Sequence, residues 1–415
     1  MPGRSFVFLA NAVPGSSTMS PLPPGGRLES NIWLSASLWM ALALAASVIS
    51  IRVGISVALI EILVGVIAGN LFGTQTAPWI DFLAAFGAML LTFLAGAEID
   101  PDSLKRHLKP ALVIGAVGFI APFLAAGAFA YWVAGWEPHA AYIAGIALST
   151  TSVAVVYAVM VETGLNRTEL GKLILAACFV NDLGTVLALG VIFADFNRWL
   201  VLFVAVTAVV LWYLPRVTRF LIRSLGHRVS EPEIKFLILV LFLLGGLAKV
   251  AQSEAVLPAY LAGLVIAGVF VRDRVLMDRM RSIAFSILTP FYFIKAGLYV
   301  SLPAIATGAL LITGFLFAKM FAKIAGIWPL TRIFRFDRRE GAYTTLLMST
   351  GLTFGTISAL FGLTTHIITQ QQYTILVTTV IGSAVVPTLI AQRFFQVAAP
   401  AVETEEDVEE IPEPA

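Results

Sequence analysis

Cysteine and charge are both scarce in this chain of 415 residues. Cys178 is the single cysteine, which excludes an intrachain disulfide and a cysteine-based zinc site. Charged residues make up only 13% of the chain against 59% hydrophobic, and the mean hydropathy is +0.90. A soluble globular domain carries roughly 25% charged residues, so the composition points instead to an all-α polytopic membrane protein. No HExxH or G-x-S-x-G segment occurs, so the commonest metalloprotease and serine-hydrolase motifs are missing and no enzyme is expected. An intramembrane aspartyl protease needs two facing aspartates, and only Asp182 is central to an apolar run. No arginine lies deep inside such a run, which leaves an organic-anion symporter the less favoured alternative. Nothing in the chain resembles a nucleic-acid-binding surface, and the expected surroundings are a lipid bilayer.

What is present is a series of apolar runs. Taking runs of about 17 to 25 residues as spans gives thirteen: 31–50, 52–73, 77–98, 109–134, 139–161, 171–193, 199–222, 234–252, 256–271, 282–300, 302–328, 340–362 and 372–394. Residues 1–30, rich in Pro, Gly and Ser, are expected to be a disordered leader, with Met19 an alternative start. Their one apolar stretch, Phe6 to Val13, is too short to span and poorly formed as a signal peptide. A transmembrane domain at 31–398 follows, then an acidic, Pro-punctuated, disordered tail at 399–415 that carries no GxGxxG segment.

The chain has 27 Lys and Arg. All of them fall at alternate connections except Arg4, Arg27 and Arg198 on the opposite side and four lysines inside runs. By the positive-inside rule the basic side is cytoplasmic, which puts the N-terminus outside and the C-terminus inside a cell (inner) membrane and requires an odd number of spans. Of the in-run lysines, Lys249 is near a run end and snorkels, while Lys295, Lys319 and Lys323 need partners.

Asp182 lies in the stretch Cys178-Phe179-Val180-Asn181-Asp182-Leu183-Gly184-Thr185, near the middle of its run, where an ionisable group is costly and marks a functional site. A carboxylate supplies oxygen to a dehydrated cation, yet cannot hold a cation and a proton together, so the two compete for one seat. Asn181 is expected either to lend a carbonyl oxygen to the ion or to hold a broken helix in place. Thr185 and Cys178 share the face of Asp182, with Cys178 read as packing. Thr150, Thr151 and Ser152, in the fifth run, are expected to offer hydroxyl and unwound carbonyl oxygens. The cluster has an echo at Met348-Ser349-Thr350-Gly351-Leu352-Thr353 in the twelfth run. Runs seven apart cross in opposite senses, as an inverted repeat with two broken helices demands; close packing by small residues is the competing reading. Glu61 is the other deep carboxylate, either a second proton site or a partner for an in-run lysine. Lys319 and Lys323, one turn apart, either compensate Asp182 or satisfy helix-end carbonyls, and Lys295 ranks as structural.

Leu90-Leu91-Thr92-Phe93-Leu94-Ala95-Gly96-Ala97-Glu98-Ile99-Asp100 resembles the "LFLAGLExD" signature of the monovalent cation:proton antiporter-2 family, which includes sodium/proton and potassium efflux antiporters. Thr289 to Gly297 is similar to that family's "PxFFxxxG" stretch, Lys323-Ile324-Ala325-Gly326 to its "KxxG" stretch, and Pro387 to the proline closing its last span. The matches keep their order over about residues 50–395.

The resemblance implies the sodium/proton antiporter fold and a homodimer. A core transport part, approximately 109–193 and 302–396, would move like an elevator against a dimerisation part, mainly 31–98 and 199–300. It also implies exchange of a monovalent cation, Na+ ahead of K+, for protons, with no cofactor. Asn181-Asp182 falls on the family's acidic pair, and with Asn first a single titratable site implies electroneutral 1:1 exchange. Lys323 falls on the lysine that pairs with the first Asp in electrogenic members; here it has Asn opposite, or supports the broken helix instead. Thr150 and Thr151 fall at the first break.

Overall fold

The computed structural model describes residues 31–53, 56–72, 74, 76–98, 106, 108–163, 165, 168–193, 198–226, 228–251 and 255–397. The expected leader, Ile99 and Asp100 of the signature stretch, Lys105, Arg167 and the acidic tail lie outside the described residues. Residues up to Ala41 form one unit and those from Leu42 another. In the first, Asn31 Oδ1 accepts from the N–H groups of Trp33 and Leu34 at 3.0 and 3.3 Å, capping helix α1 (Ile32–Val53). Residues of α1 from Leu42 on, and all the helices after it, belong to the second unit.

That unit is helical along its described length. Its first helices are α2 (Val57–Phe72), α3 (Pro78–Ala97) and α4 (Leu108–Ala128), which runs into a π-turn at Phe129–Val133. Two half-length helices, α5 (Pro138–Ser149) and α6 (Val153–Glu162), precede α7 (Glu169–Ile192). Then come α8 (Arg198–Leu225), α9 (Pro232–Val250), α10 (Val256–Phe270) and α11 (Arg274–Ile283). A π-turn at Ala284–Leu288 leads from α11 into α12 (Thr289–Leu298). The last four are α13 (Leu302–Ile333), the short pair α14 (Arg338–Leu347) and α15 (Thr353–Thr364), and α16 (Gln370–Phe394).

Many of these starts are written in the local sequence. Pro78, Pro138 and Pro232 open their helices, where a missing N–H costs nothing. Thr168 Oγ1 accepts from Gly171 N–H at 3.1 Å, and Thr369 with Gln372 forms a capping box.

Helices occupy each of the thirteen predicted runs, but not as thirteen equal rods. Among the described residues, seven are long and apolar enough to cross a membrane: α1, α3, α4 with its π-turn, α7, α8, α13 and α16. The runs at 139–161 and 340–362 are each cut in two, because the chain leaves helical geometry at their Ser/Thr clusters. A long helix, a short pair and a long helix therefore follow one another twice, as α4 to α7 and as α13 to α16.

Packing separates two neighbourhoods. α4 lies against α5, α7 and α13; α16 lies against α13 and α15; and α15 lies against α5. In the other group, α10 packs on α3 and α8, while α12 packs on α2 and α3. Here glycines let backbones touch. A Cβ on Gly263 would collide with the Phe93 carbonyl, and one on Gly96 with the Tyr260 carbonyl. Gly65 and Gly297 face each other in the same way, against the carbonyls of Ile294 and Ile62. Gly96 and Gly297 of the signature stretches are thus contact points between helices. Glu98, next in the first stretch, accepts from Arg281 Nε and Nη2 at 3.0 and 2.9 Å, tying the end of α3 to α11.

Candidate functional site

The two cut helices meet at their gaps. Thr150, which ends α5, is extended at φ −63° and ψ 151°, and Leu352 ahead of α15 sits at φ −149° and ψ −73°. A helix end leaves backbone groups without intrahelical partners, and here each gap supplies partners for the other. Ser152 N–H donates to the Thr350 carbonyl at 3.0 Å, and Thr151 Oγ1 donates to the Met348 carbonyl at 2.7 Å. Gly351 sits where the chains come closest: a Cβ there would strike Lys319 Nζ and lie 2.9 Å from Thr150 Oγ1.

Helix α7 crosses beside this junction. Thr151 N–H donates to Asn181 Oδ1 at 2.9 Å, and Asn181 Nδ2 donates to the Ser149 carbonyl at 3.3 Å. Asn181 therefore spans the first gap with both ends of its amide. Of its two expected roles, holding the broken helix is the one this arrangement displays. Its neighbour Asp182 is 1% exposed, and Asp182 Oδ1 is buried with no hydrogen-bond partner among the described residues. Thr185 shares that face, but its hydroxyl donates back to the Asn181 carbonyl at 3.1 Å. Cys178 is buried, its sulfur 3.6 Å from that of Met348.

Both lysines of α13 reach the junction, and both are fully buried. Lys323 Nζ donates to Thr151 Oγ1 at 2.9 Å. Among the described residues no ion pair joins it to Asp182. Lys319 Nζ donates to Ser383 Oγ at 2.8 Å and to the Thr150 carbonyl at 3.4 Å, a helix-end acceptor. The two ammonium groups thus sit on the gap in α5/α6, and Ser383 Oγ, 3.4 Å from the Gly351 carbonyl, links to the other gap.

Glu61 lies elsewhere. It is buried on α2, which packs on α12, and its Oε2 has no hydrogen-bond partner among the described residues. The expectation that Glu61 pairs with an in-run lysine is corrected: Lys295 pairs with Asp81 at 2.8 Å, and Lys319 and Lys323 hold hydroxyls and a carbonyl. Lys249 is exposed in the last turn of α9.

Four residues at the junction escaped the reading of the sequence as site residues: Ser383, Gly351, Met348 and Tyr260. Tyr260 comes from α10 and donates its hydroxyl to the Phe179 carbonyl at 3.0 Å, one turn before Asp182. Its ring meets that of Phe354, on α15, edge-on at 6.2 Å. The in-run lysines were the available signal for Ser383, since a buried ammonium needs acceptors.

The chemistry open to this arrangement is narrow. A carboxylate with an unmatched oxygen sits beside backbone freed from helical bonding, enclosed by apolar helices. Such a group binds one positive species at a time, either a proton or a cation that has shed water.

Comparison with protein families matches residues 39–397 to the family described as sodium/hydrogen exchanger, transmembrane. The chain is 25% identical over 342 residues to GerT of Bacillus cereus, a probable Na+/H+ antiporter, covering 79% of this chain and 90% of that one. To a Na+/H+ antiporter of Enterococcus hirae it is 24% identical, covering 83% and 93%. Among solved structures, the sodium proton antiporter MjNhaP1 of Methanocaldococcus jannaschii superposes with a TM-score of 0.66 at 15% identity, covering 86% of this chain and 95% of that one. The last likeness is one of fold.

Proposed function

This chain belongs to the sodium/hydrogen exchanger family, and from that premise we propose that Asp182 is the seat for which a proton and a monovalent cation compete. The protein is a multi-span membrane transporter that exchanges a cation for protons. The observation that carries the assignment to Asp182 is its buried carboxylate with Oδ1 unpartnered at the meeting point of two interrupted helices. A charge held there without a partner is expensive. Protonation and cation binding each remove that cost, so the empty, ionised state is disfavoured between them.

The remaining assignments follow as parts of the same reading. Thr150, Thr151, Ser152 and Thr350 shape the cation's surroundings through their backbone, since their hydroxyls already have partners. Asn181, Lys319 and Lys323 hold that backbone in place. With Asn181 neutral, one proton leaves for each cation that enters, so exchange is electroneutral. Na+ is the proposed cargo, as in the names of the Bacillus and Enterococcus relatives. K+ is the second reading, because another Bacillus cereus relative is named a Na+/H+-K+ antiporter. Alternating access comes from the neighbourhood of α4–α7 and α13–α16 moving against that of α2, α3, α8–α10 and α12, in a homodimer with its basic connections cytoplasmic. The test is dye-monitored proton flux in proteoliposomes given Na+, Li+ and K+ in turn, with wild type and Asp182→Asn. Cation-driven flux that survives in Asp182→Asn would remove Asp182 from its role.

A further inference from the structure

A cavity of about 890 Å³ lies between α3, α9, α12 and α15. Its walls are largely apolar and aromatic, with Phe82, Phe86, Phe242 and Phe361 among them, and Phe82 and Phe242 are themselves exposed at its edge. Three charged side chains line it. Asp81 and Lys295 neutralise each other at 2.8 Å, whereas Lys249, in the last turn of α9, is exposed and has no ion pair among the described residues. The cavity therefore presents apolar walls and, at the end of an apolar span, one lysine outside any ion pair among the described residues. One face of α15, made up of Ile357, Leu360, Phe361 and Thr364, forms one of its walls.

We propose that this cavity is a binding site for an anionic phospholipid, with an acyl chain against the aromatic walls and the phosphate at Lys249. A lysine at a span end extends its head to the lipid headgroup level while its stem covers apolar surface. A zwitterionic lipid brings its own cation beside the phosphate and so gains little from Lys249. The lipid touches α15 on one side and α3 and α9 on the other, so its occupancy governs how easily the two neighbourhoods slide. This last step rests on the alternating-access reading above, whereas the binding itself does not.

Binding is read on purified full-length protein by native mass spectrometry after equilibration with phosphatidylglycerol and phosphatidylcholine. Wild type is expected to retain phosphatidylglycerol in preference by roughly fivefold, the factor one lysine near an anionic lipid supplies. Lys249→Gln should bring the two lipids to parity, and Ala85→Phe, whose ring would grow into the cavity, should displace both. Proton flux in phosphatidylcholine vesicles with and without phosphatidylglycerol should differ for wild type and not for Lys249→Gln. No preference in wild type, a preference that persists in Lys249→Gln, or full retention in Ala85→Phe would overturn the site. Retention does not depend on exchange, so a failure of the Asp182 assignment would leave it unchanged, and a failure here would leave the effect of Asp182→Asn intact.

Discussion

Lys323 is bound to the hydroxyl of Thr151, 2.9 Å away, and forms no ion pair with Asp182 among the described residues. Thr151 passes the connection on, donating to the Met348 carbonyl at 2.7 Å. One hydroxyl thus joins α13 to both interrupted helices.

The two ends of that bond are not equivalent. Thr151→Val leaves a buried ammonium without its acceptor and should lower stability by about 2–3 kcal/mol. Lys323→Met leaves a hydroxyl that still has the Met348 carbonyl, so its cost should be under about 1.5 kcal/mol. Thermal unfolding in detergent should rank Thr151→Val the less stable of the two; the reverse order would mean that Lys323 is held chiefly by another group.

Asn181→Asp places a second carboxylate beside Asp182 and against Thr151, the residue that holds Lys323. Wild-type exchange should ignore an imposed membrane potential, and the variant should respond to it, as vesicles clamped with a potassium ionophore would report. The substitution also removes the Nδ2 donor to the Ser149 carbonyl, so a loss of about 1–2 kcal/mol in stability should accompany the change.

Helix α10 carries its own control. Gly263→Ala drives a methyl into the Phe93 carbonyl, whereas a Cβ on Gly268 meets nothing within 4 Å. The first should cost about 3 kcal/mol or more, because the obstacle is backbone that cannot step aside. The second should be neutral, or stabilising by up to about 1 kcal/mol. Yield and melting temperature of the two variants decide the point.

At Asp81 and Lys295 exposure is unequal, with side chains 45% and 10% exposed. Asp81→Ala strands a mostly buried cation and should cost about 2–4 kcal/mol. Lys295→Met leaves a carboxylate whose Oδ1 is buried but whose side chain is 45% exposed and can still be solvated, and should cost less than Asp81→Ala. Equal losses in thermal unfolding would show that the pair is not the asymmetric one described.

Charge in an apolar run is what made much of the site legible in the sequence. Asp182, Lys319 and Lys323 stood out because each is expensive in hydrocarbon, and all three sit at or beside the junction. The Ser/Thr clusters at 149–152 and 349–353 marked the interruptions for a related reason, since hydroxyls can satisfy backbone that has left the helix. Ser383 and Tyr260 carry no charge of their own: a hydroxyl in the middle of a span is common, so the lysines called for an acceptor without saying which, and the partner is known only when the helices are in place. Asp81 lay near a run end, where a carboxylate needs no explanation, so its pairing with Lys295 could not be anticipated. Glu61 shows the limit of the reasoning from cost alone, for it is as deep as Asp182 and stands on a helix that packs elsewhere.

Where α2 rests on α12 and α3 on α10, carbonyl oxygens occupy the space that side chains would fill. Main chain seated on main chain has no rotamers to rearrange and no soft layer to compress. Those two seams can transmit a push but cannot absorb one, so any travel by the ion-carrying helices has to be taken up at other boundaries, including the aromatic contact of Tyr260 with Phe354.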